Sequence, residues 1–154
     1  MRRCLQCETI YMGLGCPKCG SKSWENGDNR RPVYQVSIRE RFDAAHHLRG
    51  DIGKIGKCAQ QHGHGWVVEV VVERPNIDSL GMVIDFRDLK STLQEKVIDV
   101  LDHRDLNEIP PFTEINPTAE NLARWIYEQM MGMVGLVEVR VFESPGAMAS
   151  YSEA

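Results

Sequence analysis

The stretch KCAQQHGHGWVVEVVVE, residues 57–73, decides how this chain is expected to fold. Its second half, from about Gly65 to Glu73, is a valine-rich run of the kind found in strands. Side chains at positions i and i+2 of an extended chain project to the same side. His62 and His64 therefore enter the predicted strand as an aligned pair of imidazoles.

A second predicted strand precedes this stretch. Tyr34, Val36 and Ile38 alternate with polar residues, which predicts a strand running from Tyr34 toward Ala45. Between the two strands, residues 49–61 contain three glycines and show no periodicity. A loop of this length inside a compact domain is usually functional.

The remaining sequence predicts two helices. Asp85 can cap the first helix, and Thr118, which follows a proline, begins the second. The first helix has apolar residues at helical spacing, at Phe86, Leu89, Leu93, Val97 and Val100. The apolar stripe of the second helix consists of Leu122, Trp125, Ile126 and Met130.

Two more strands follow the helices. Alternation through Val137, Val139 and Val141 predicts a strand that ends near Glu143, and a short final strand spans about residues 147–151. The order of two strands, two helices and two strands predicts an α+β fold. We expect a four-stranded antiparallel sheet with both helices on one face.

Composition agrees with a folded protein that has one main domain. Of the 154 residues, 42% are hydrophobic and 26% are charged, close to the averages for globular proteins. No apolar run approaches the ~20 residues of a membrane span, so no membrane association is expected. The first residues lack the apolar segment of a secretory signal, so the expected location is the cytoplasm, where thiols are reduced.

The first twenty residues contain two Cys-x-x-Cys pairs, Cys4 with Cys7 and Cys16 with Cys19. Four thiolates at this spacing predict a closed structural zinc site in a zinc-ribbon-like module and linker, residues 1–30. The linker is expected at residues 21–31, which are polar, contain a glycine and are followed by Pro32. A pair of disulfides, a redox motif and an iron site are the alternatives. The second domain is expected over residues 31–154.

Charge also divides the chain at this point. Six basic and three acidic residues give residues 1–31 a charge of +3, so the rest carries −7 of the total of −4. This small basic excess leaves open an adaptor that binds protein or nucleic acid, with a non-catalytic second domain. We do not expect nucleic acid to be the partner.

His46, at the end of the first predicted strand, can join His62 and His64 across an antiparallel pair. Three histidines without a fourth protein ligand are typical of a catalytic zinc site with an open position. The alternative for each is a hydrogen-bonded core or surface histidine. His47 should point to the opposite face and is given no role.

Three further positions are candidates for chemistry. Cys58 lies beside Lys57 and near the histidines, where a thiol can be held as thiolate and act as base or nucleophile; a small buried apolar residue is the alternative. Asp102 and His103 form a candidate proton-transfer pair, although adjacent residues need not touch. Glu143 either is buried against a heterocycle that offers two N–H donors or returns to solvent through a bulge.

Taken together, these motifs resemble the 6-pyruvoyl-tetrahydropterin synthase superfamily over residues 33–154. Apart from Glu143, the motifs are Phe42-Asp-Ala-Ala-His46, Lys57-Cys58-x-x-x-His62-Gly-His64, Gly81-Met-Val-Ile-Asp85-Phe, Leu101-Asp-His103-x-x-Leu-Asn107 and Pro117-Thr-Ala-Glu-Asn121. The spacing from Cys58 to His62 most resembles the bacterial branch, the 6-carboxy-5,6,7,8-tetrahydropterin synthases of queuosine (7-deazapurine) biosynthesis. Gln61 stands where a folate-related branch has Glu. The four-cysteine extension departs from the family pattern.

The resemblance implies the tunnelling fold (T-fold), in which the sheets of several subunits join into a barrel. The expected assembly is a homohexamer of two trimers, with active sites at subunit boundaries. The implied substrate is 7,8-dihydroneopterin triphosphate. The implied products are 6-carboxytetrahydropterin, acetaldehyde and triphosphate, which makes the protein a carbon–carbon lyase.

The resemblance also implies a role for each candidate residue. A catalytic zinc ion on the three histidines, the second zinc ion of the chain, would stabilise developing negative charge on the substrate side chain. Cys58 would remove a proton from a side-chain carbon, and His103, polarised by Asp102, would assist the thiol.

The rest of the substrate would contact other residues. Glu143 would accept hydrogen bonds from the pterin, and Thr118 and Glu120 would support that pocket. Lys54 and Lys57 are candidates for the triphosphate, or ordinary solvated charges.

Two other enzyme activities remain open. One is 6-pyruvoyl-tetrahydropterin synthesis, which releases no acetaldehyde. The other is simple hydration or hydrolysis at the zinc site, for which Cys58 would be dispensable.

Overall fold

The computed structural model describes residues 2–11, 13, 15–20, 24–26 and 33–153. The chain divides into two compact units, Met1–Val33 and Tyr34–Ala154. Most of the predicted linker, residues 21–31, lies outside the described residues. Its described part, Trp24–Asn26, is a strand and not a linker, because it pairs with the strand that contains Cys4.

The first unit contains a small antiparallel sheet of β1 (Arg2–Cys4), β2 (Ile10–Tyr11) and β3 (Trp24–Asn26), in the order β2-β1-β3. Each cysteine pair lies on a tight turn. In the first turn the amide of Glu8 donates to the carbonyl of Cys4 at 2.9 Å. In the second the amide of Gly20, whose φ is 70°, donates to the carbonyl of Cys16 at 2.9 Å.

The second unit is built on a five-stranded sheet in the order β6-β4-β5-β7-β8. Its strands are β4 (Tyr34–His46), β5 (His62–Arg74), β6 (Arg104–Asp105), β7 (Leu136–Ser144) and β8 (Ala147–Tyr151). The four long strands pair antiparallel, as predicted. The short β6 was not predicted, and it pairs parallel to β4.

The loop between β4 and β5, residues 47–61, is partly helical. Within residues 49–61, a short helix α1 (Ile52–Ile55) and a 3-10 turn (Gly56–Ala59) form. Asp51 caps α1 by accepting a hydrogen bond from the amide of Gly53 at 2.9 Å. Strand β5 then begins at His62 and not near Gly65, because it pairs with β4 as far as His46.

The first predicted helix runs over residues 86–101 in three segments. These are α2 (Phe86–Leu93), a π-helical turn (Gln94–Ile98) and α3 (Asp99–Leu101). The prediction that Val100 belongs to the apolar stripe is wrong: it is 39% exposed, and Leu101 is buried instead. A π turn inserts an extra residue, which rotates the face that follows it. Phe86, in the first turn, is also exposed.

The second predicted helix is α4 (Ala119–Met130), and Thr118 caps it as expected. The helices and one face of the sheet form a single core, to which β5 contributes Trp66, Val68 and Val70. Glu69 is buried on the other side of β5, where Arg39 and Arg140 hold its carboxylate. Among the described residues, no helix combines the length and apolar character needed to cross a membrane.

Candidate active site

Three histidines meet where β4 and β5 pair. His46 lies opposite His62 in the register, and His64 follows two residues later on the same face of β5. One ring nitrogen from each lies within 4.8 Å of the other two. The structure thus brings these residues, called here the histidine cluster, together as the sequence predicts.

Backbone carbonyls fix the orientation of two of these rings. His46 Nδ1 lies 2.8 Å from the carbonyl oxygen of Pro117, and His62 Nδ1 lies 2.7 Å from that of Gln60. A carbonyl only accepts hydrogen bonds, so each Nδ1 carries the proton and each Nε2 keeps a free lone pair. This is the tautomer in which histidine binds a metal through Nε2.

The Nε2 atoms of His46 and His64 are buried, and neither has a hydrogen-bond partner among the described residues. His64 Nε2 lies 3.3 Å from Glu143 Oε1, close enough for an ion pair but without hydrogen-bond geometry. Buried nitrogens without partners are costly unless a ligand satisfies them. The cluster therefore fits a metal ion bound by neutral imidazoles.

His46 is suited to the neutral form. It is only 2% exposed. Burial disfavours the imidazolium and holds the pKa of His46 below its usual value, although its hydrogen bond to the carbonyl of Pro117 acts in the opposite direction.

A cavity of about 330 Å³ opens beside His46. The predicted residues Cys58, Thr118, Glu120 and Glu143 all line it, together with Leu48 and residues of α4 and β8. We call it the Cys58 cavity. Cys58 reaches it from the 3-10 turn, and its carbonyl accepts a hydrogen bond from the amide of Leu48 at 2.8 Å.

Glu143 lies at a bulge near the end of β7. The pairing of β7 with β8 shifts register between Phe142 and Ser144, so the regular alternation is interrupted. The Glu143 side chain is 33% exposed and faces His64. The side chain is therefore neither fully buried nor fully exposed. Its carboxylate lines the Cys58 cavity and lies beside His64 of the histidine cluster.

Asp102 and His103 touch each other, which their adjacency alone could not establish. His103 Nδ1 lies 2.9 Å from Asp102 Oδ2, and the amide of Asp43 donates to Asp102 Oδ1 at 2.9 Å. That amide and then the His103 ring hold the pKa of Asp102 below its usual value. His103 has a φ of 56°, the left-handed conformation, and its amide donates to the carbonyl of Asp43.

His103 and Cys58 line different depressions. The His103 side chain is 79% exposed. It lines a separate, open depression of about 600 Å³ together with His64 and Arg104, and not the Cys58 cavity.

Known proteins resemble this chain in sequence and in fold. The family model described as 6-pyruvoyl tetrahydropterin synthase matches residues 35–154. The chain belongs to this family. Its fold is similar to the Caenorhabditis elegans 6-pyruvoyl tetrahydropterin synthase structure, with a TM-score of 0.72, 28% identity and coverage of 81% of this chain and 99% of that one.

Two curated relatives are named for different activities. The human 6-pyruvoyl tetrahydrobiopterin synthase is 34% identical over 138 residues, which are 81% of this chain and 95% of the relative. The dihydroneopterin monophosphate aldolase of Pyrococcus furiosus is 41% identical over 96 residues, which are 62% of this chain and 74% of the relative.

Not every predicted residue of this pterin synthase family member lines the Cys58 cavity. Neither Lys54, in α1, nor Lys57 lines it. His47 is not part of the histidine cluster. The sequence did not reveal that the carbonyl of Pro117 orients His46. Every residue has a backbone carbonyl, so no residue type marks the one that is used.

The four N-terminal cysteines, Cys4, Cys7, Cys16 and Cys19, precede the matched region and form a second candidate metal site. Their sulfurs lie within 4.8 Å of one another, and none of the four is in a disulfide. The side chain and then the amide of Thr9 hydrogen-bond to Cys7 and lower the pKa of its thiol to about 6. The lowered pKa favours the thiolate of Cys7, the form that binds metal.

Proposed function

We propose that the second unit is a zinc-dependent enzyme that converts 7,8-dihydroneopterin triphosphate to 6-carboxy-5,6,7,8-tetrahydropterin, acetaldehyde and triphosphate. This would be a step of 7-deazapurine (queuosine) biosynthesis. The observation that supports it is the Cys58 cavity, where a metal-competent histidine, a thiol and a carboxylate face the same space. Family membership supports a pterin substrate.

Each wall of the cavity has a role in this reaction. Cys58 acts as the general base on the substrate side chain. Its thiol is half-buried and lies outside the histidine cluster, so it is not used as a metal ligand. Glu143 accepts two hydrogen bonds from the pterin N–H groups. Thr118 and Glu120 support that wall. A zinc ion on the cluster would supply Lewis-acid stabilisation of developing oxyanion charge.

The enzyme is proposed to act as a homo-oligomer, a hexamer built from two trimers. His103 supports this, because its exposed imidazole, which contacts Asp102, is available to a neighbouring copy. The sheet also has β8 at one edge and the two-residue β6 at the other, so further strands can join it. In the assembly, His103 of one copy would serve Cys58 of the next.

A second candidate is 6-pyruvoyl-tetrahydropterin synthesis, which the name of the human relative favours. The three-residue spacing between Cys58 and His62 favours the carboxy product. Mass analysis after incubation of the zinc-loaded full chain with dihydroneopterin triphosphate tests both. Acetaldehyde and a 6-carboxy product support the first proposal, a 6-pyruvoyl product without acetaldehyde supports the second, and unchanged substrate contradicts both.

Glu143→Gln should weaken pterin binding. The substitution replaces an acceptor oxygen with an amide donor that faces the N–H groups of the ligand. The expected loss is about 1–3 kcal/mol, which corresponds to roughly 5- to 150-fold in dissociation constant. Calorimetry with neopterin measures it, and Glu114→Gln, an exposed carboxylate outside the cavity, is the matched control. Equal affinity in both variants would remove Glu143 from recognition.

The four-cysteine cluster is proposed to hold a structural zinc ion in a ribbon-like module, so that each chain binds two zinc ions. Cys16→Ser should lower the zinc content from two ions to one and loosen the first unit, because small modules of this kind fold on their metal. Elemental analysis and proteolysis of the first unit measure these effects. Loss of both ions, or loss of turnover, would contradict two independent sites.

A further inference from the structure

Three residues follow His46 without a strand partner on one side. They are His47, Leu48 and Arg49, and they lead from β4 toward α1. All three backbone amides are nevertheless hydrogen-bonded. The amide of Leu48 donates to the carbonyl of Cys58 at 2.8 Å.

Two asparagine side chains take the place of the missing strand. Asn107 accepts from the amide of His47 at 2.8 Å and donates to the carbonyl of the same residue at 3.0 Å. Asn116 does the same for Arg49, with both bonds at 2.8 Å. A carboxamide has an acceptor and a donor on one group, so it can copy both backbone bonds of a neighbouring strand. Asp, Leu and Ala cannot.

We propose that Asn107 and Asn116, the clamp asparagines, are positioning residues that hold His46 in its metal-binding orientation. They fix the segment directly after His46. His46 itself is buried, so its ring cannot exchange the hydrogen bond to the carbonyl of Pro117 for one to water. Asn116 also precedes Pro117, whose carbonyl orients the His46 ring. One short segment thus restrains both the backbone after this histidine and its imidazole.

The clamp asparagines are themselves anchored. Asn107 is 9% exposed, and its amide donates to Asp105 Oδ1 at 3.0 Å. The carbonyl of Asn116 accepts from Asn121 Nδ2, in the first turn of α4, at 2.8 Å. The guanidinium of Arg49 donates to the carbonyls of Phe112, Thr113 and Ile115, at 2.6–2.9 Å. The clamp therefore ties the end of β4 to the loop before α4.

The same clamp reaches the proposed base. Leu48, held between the two clamped residues, bonds to the carbonyl of Cys58 and lines the Cys58 cavity. Loosening the segment should therefore disturb a metal ligand and the thiol together. The inference rests on the proposed function in that it requires a metal on the histidine cluster.

The test compares Asn107→Asp and Asn116→Asp with Asn76→Asp, an exposed position between β5 and α2. Each change removes an amide donor and adds the same charge. Cobalt titration of the full chain reports the sites separately, because only thiolate ligands give sulfur-to-metal charge-transfer bands. Hydrogen exchange of residues 47–49 in the metal-free protein reports the clamp directly.

Both clamp variants should bind cobalt at the histidine cluster about 10- to 100-fold more weakly, with faster exchange of residues 47–49. A new carboxylate near a cation site would by itself strengthen binding, so weaker binding reports the lost donor. Excess zinc should restore much of the activity of both clamp variants. It would not do so if the variants had lost their fold. Asn76→Asp should change none of these.

Undiminished cobalt affinity in the clamp variants would overturn the positioning role and leave the proposed function standing. A wild-type chain that binds metal but makes no pterin product would refute the proposed function. It would not affect the positioning role of the clamp asparagines. Should Asn116→Asp fail to fold, Asn121→Ala, which removes only the bond to the carbonyl of Asn116, should show the same effects more weakly; unchanged affinity and exchange there would also overturn the proposal.

Discussion

Cys58→Ala is expected to lower kcat by about 10²- to 10⁴-fold, the usual range for a general acid or base. The thiol lines the Cys58 cavity but does not belong to the histidine cluster, so the variant should keep its metal. Steady-state kinetics and elemental analysis of the same sample measure the two effects. Loss of metal together with activity would instead make Cys58 a ligand, and unchanged kcat would remove it from the mechanism.

Mixing two inactive variants provides the control for the proposed relay. His103 lines a different depression from Cys58, and the proposed relay joins His103 of one copy to Cys58 of another. Hybrids of Cys58→Ala and His103→Ala chains should therefore regain part of the activity, because some boundaries in them carry both wild-type residues. Hybrids that stay inactive would contradict a relay shared between copies.

Local signals in the sequence were sufficient for much of the fold. The caps at Asp85 and Thr118 are confirmed, because a cap involves residues a few positions apart. The pairing of β4 with β5 is confirmed. The alternating apolar residues of β4 and the valine-rich run of β5 made both strands recognisable. That pairing alone brings His46 beside His62, so the histidine cluster was predictable.

Features that depend on distant segments were not predictable. The π turn that buries Leu101 in place of Val100 leaves no mark in apolar spacing. The parallel strand β6 forms beside His103, whose left-handed backbone hydrogen-bonds to β4. Such a conformation is uncommon for a residue other than glycine and requires tertiary support.

The clamp asparagines show the same limit within the site. Asn107 belongs to a recognisable motif, but the motif does not reveal that its partner is the backbone of His47, sixty residues earlier. When the partner of a side chain is a backbone group, no residue type in the sequence identifies that partner. Candidate ligands could thus be named from the sequence, while the groups that orient them required the structure.

His62→Ala should abolish both the reaction and metal binding at the histidine cluster, because two imidazoles leave too few protein ligands for a stable site. The fold should survive, since His62 is only partly buried and its ring contacts the carbonyl of Gln60. Elemental analysis should find one zinc ion per chain, held by the four-cysteine cluster, whereas His47→Ala, outside the histidine cluster, should keep two. Circular dichroism checks the fold. A His62→Ala chain that retained two tightly bound zinc ions would refute the ligand assignment, and with it the premise that Cys58 works beside a metal.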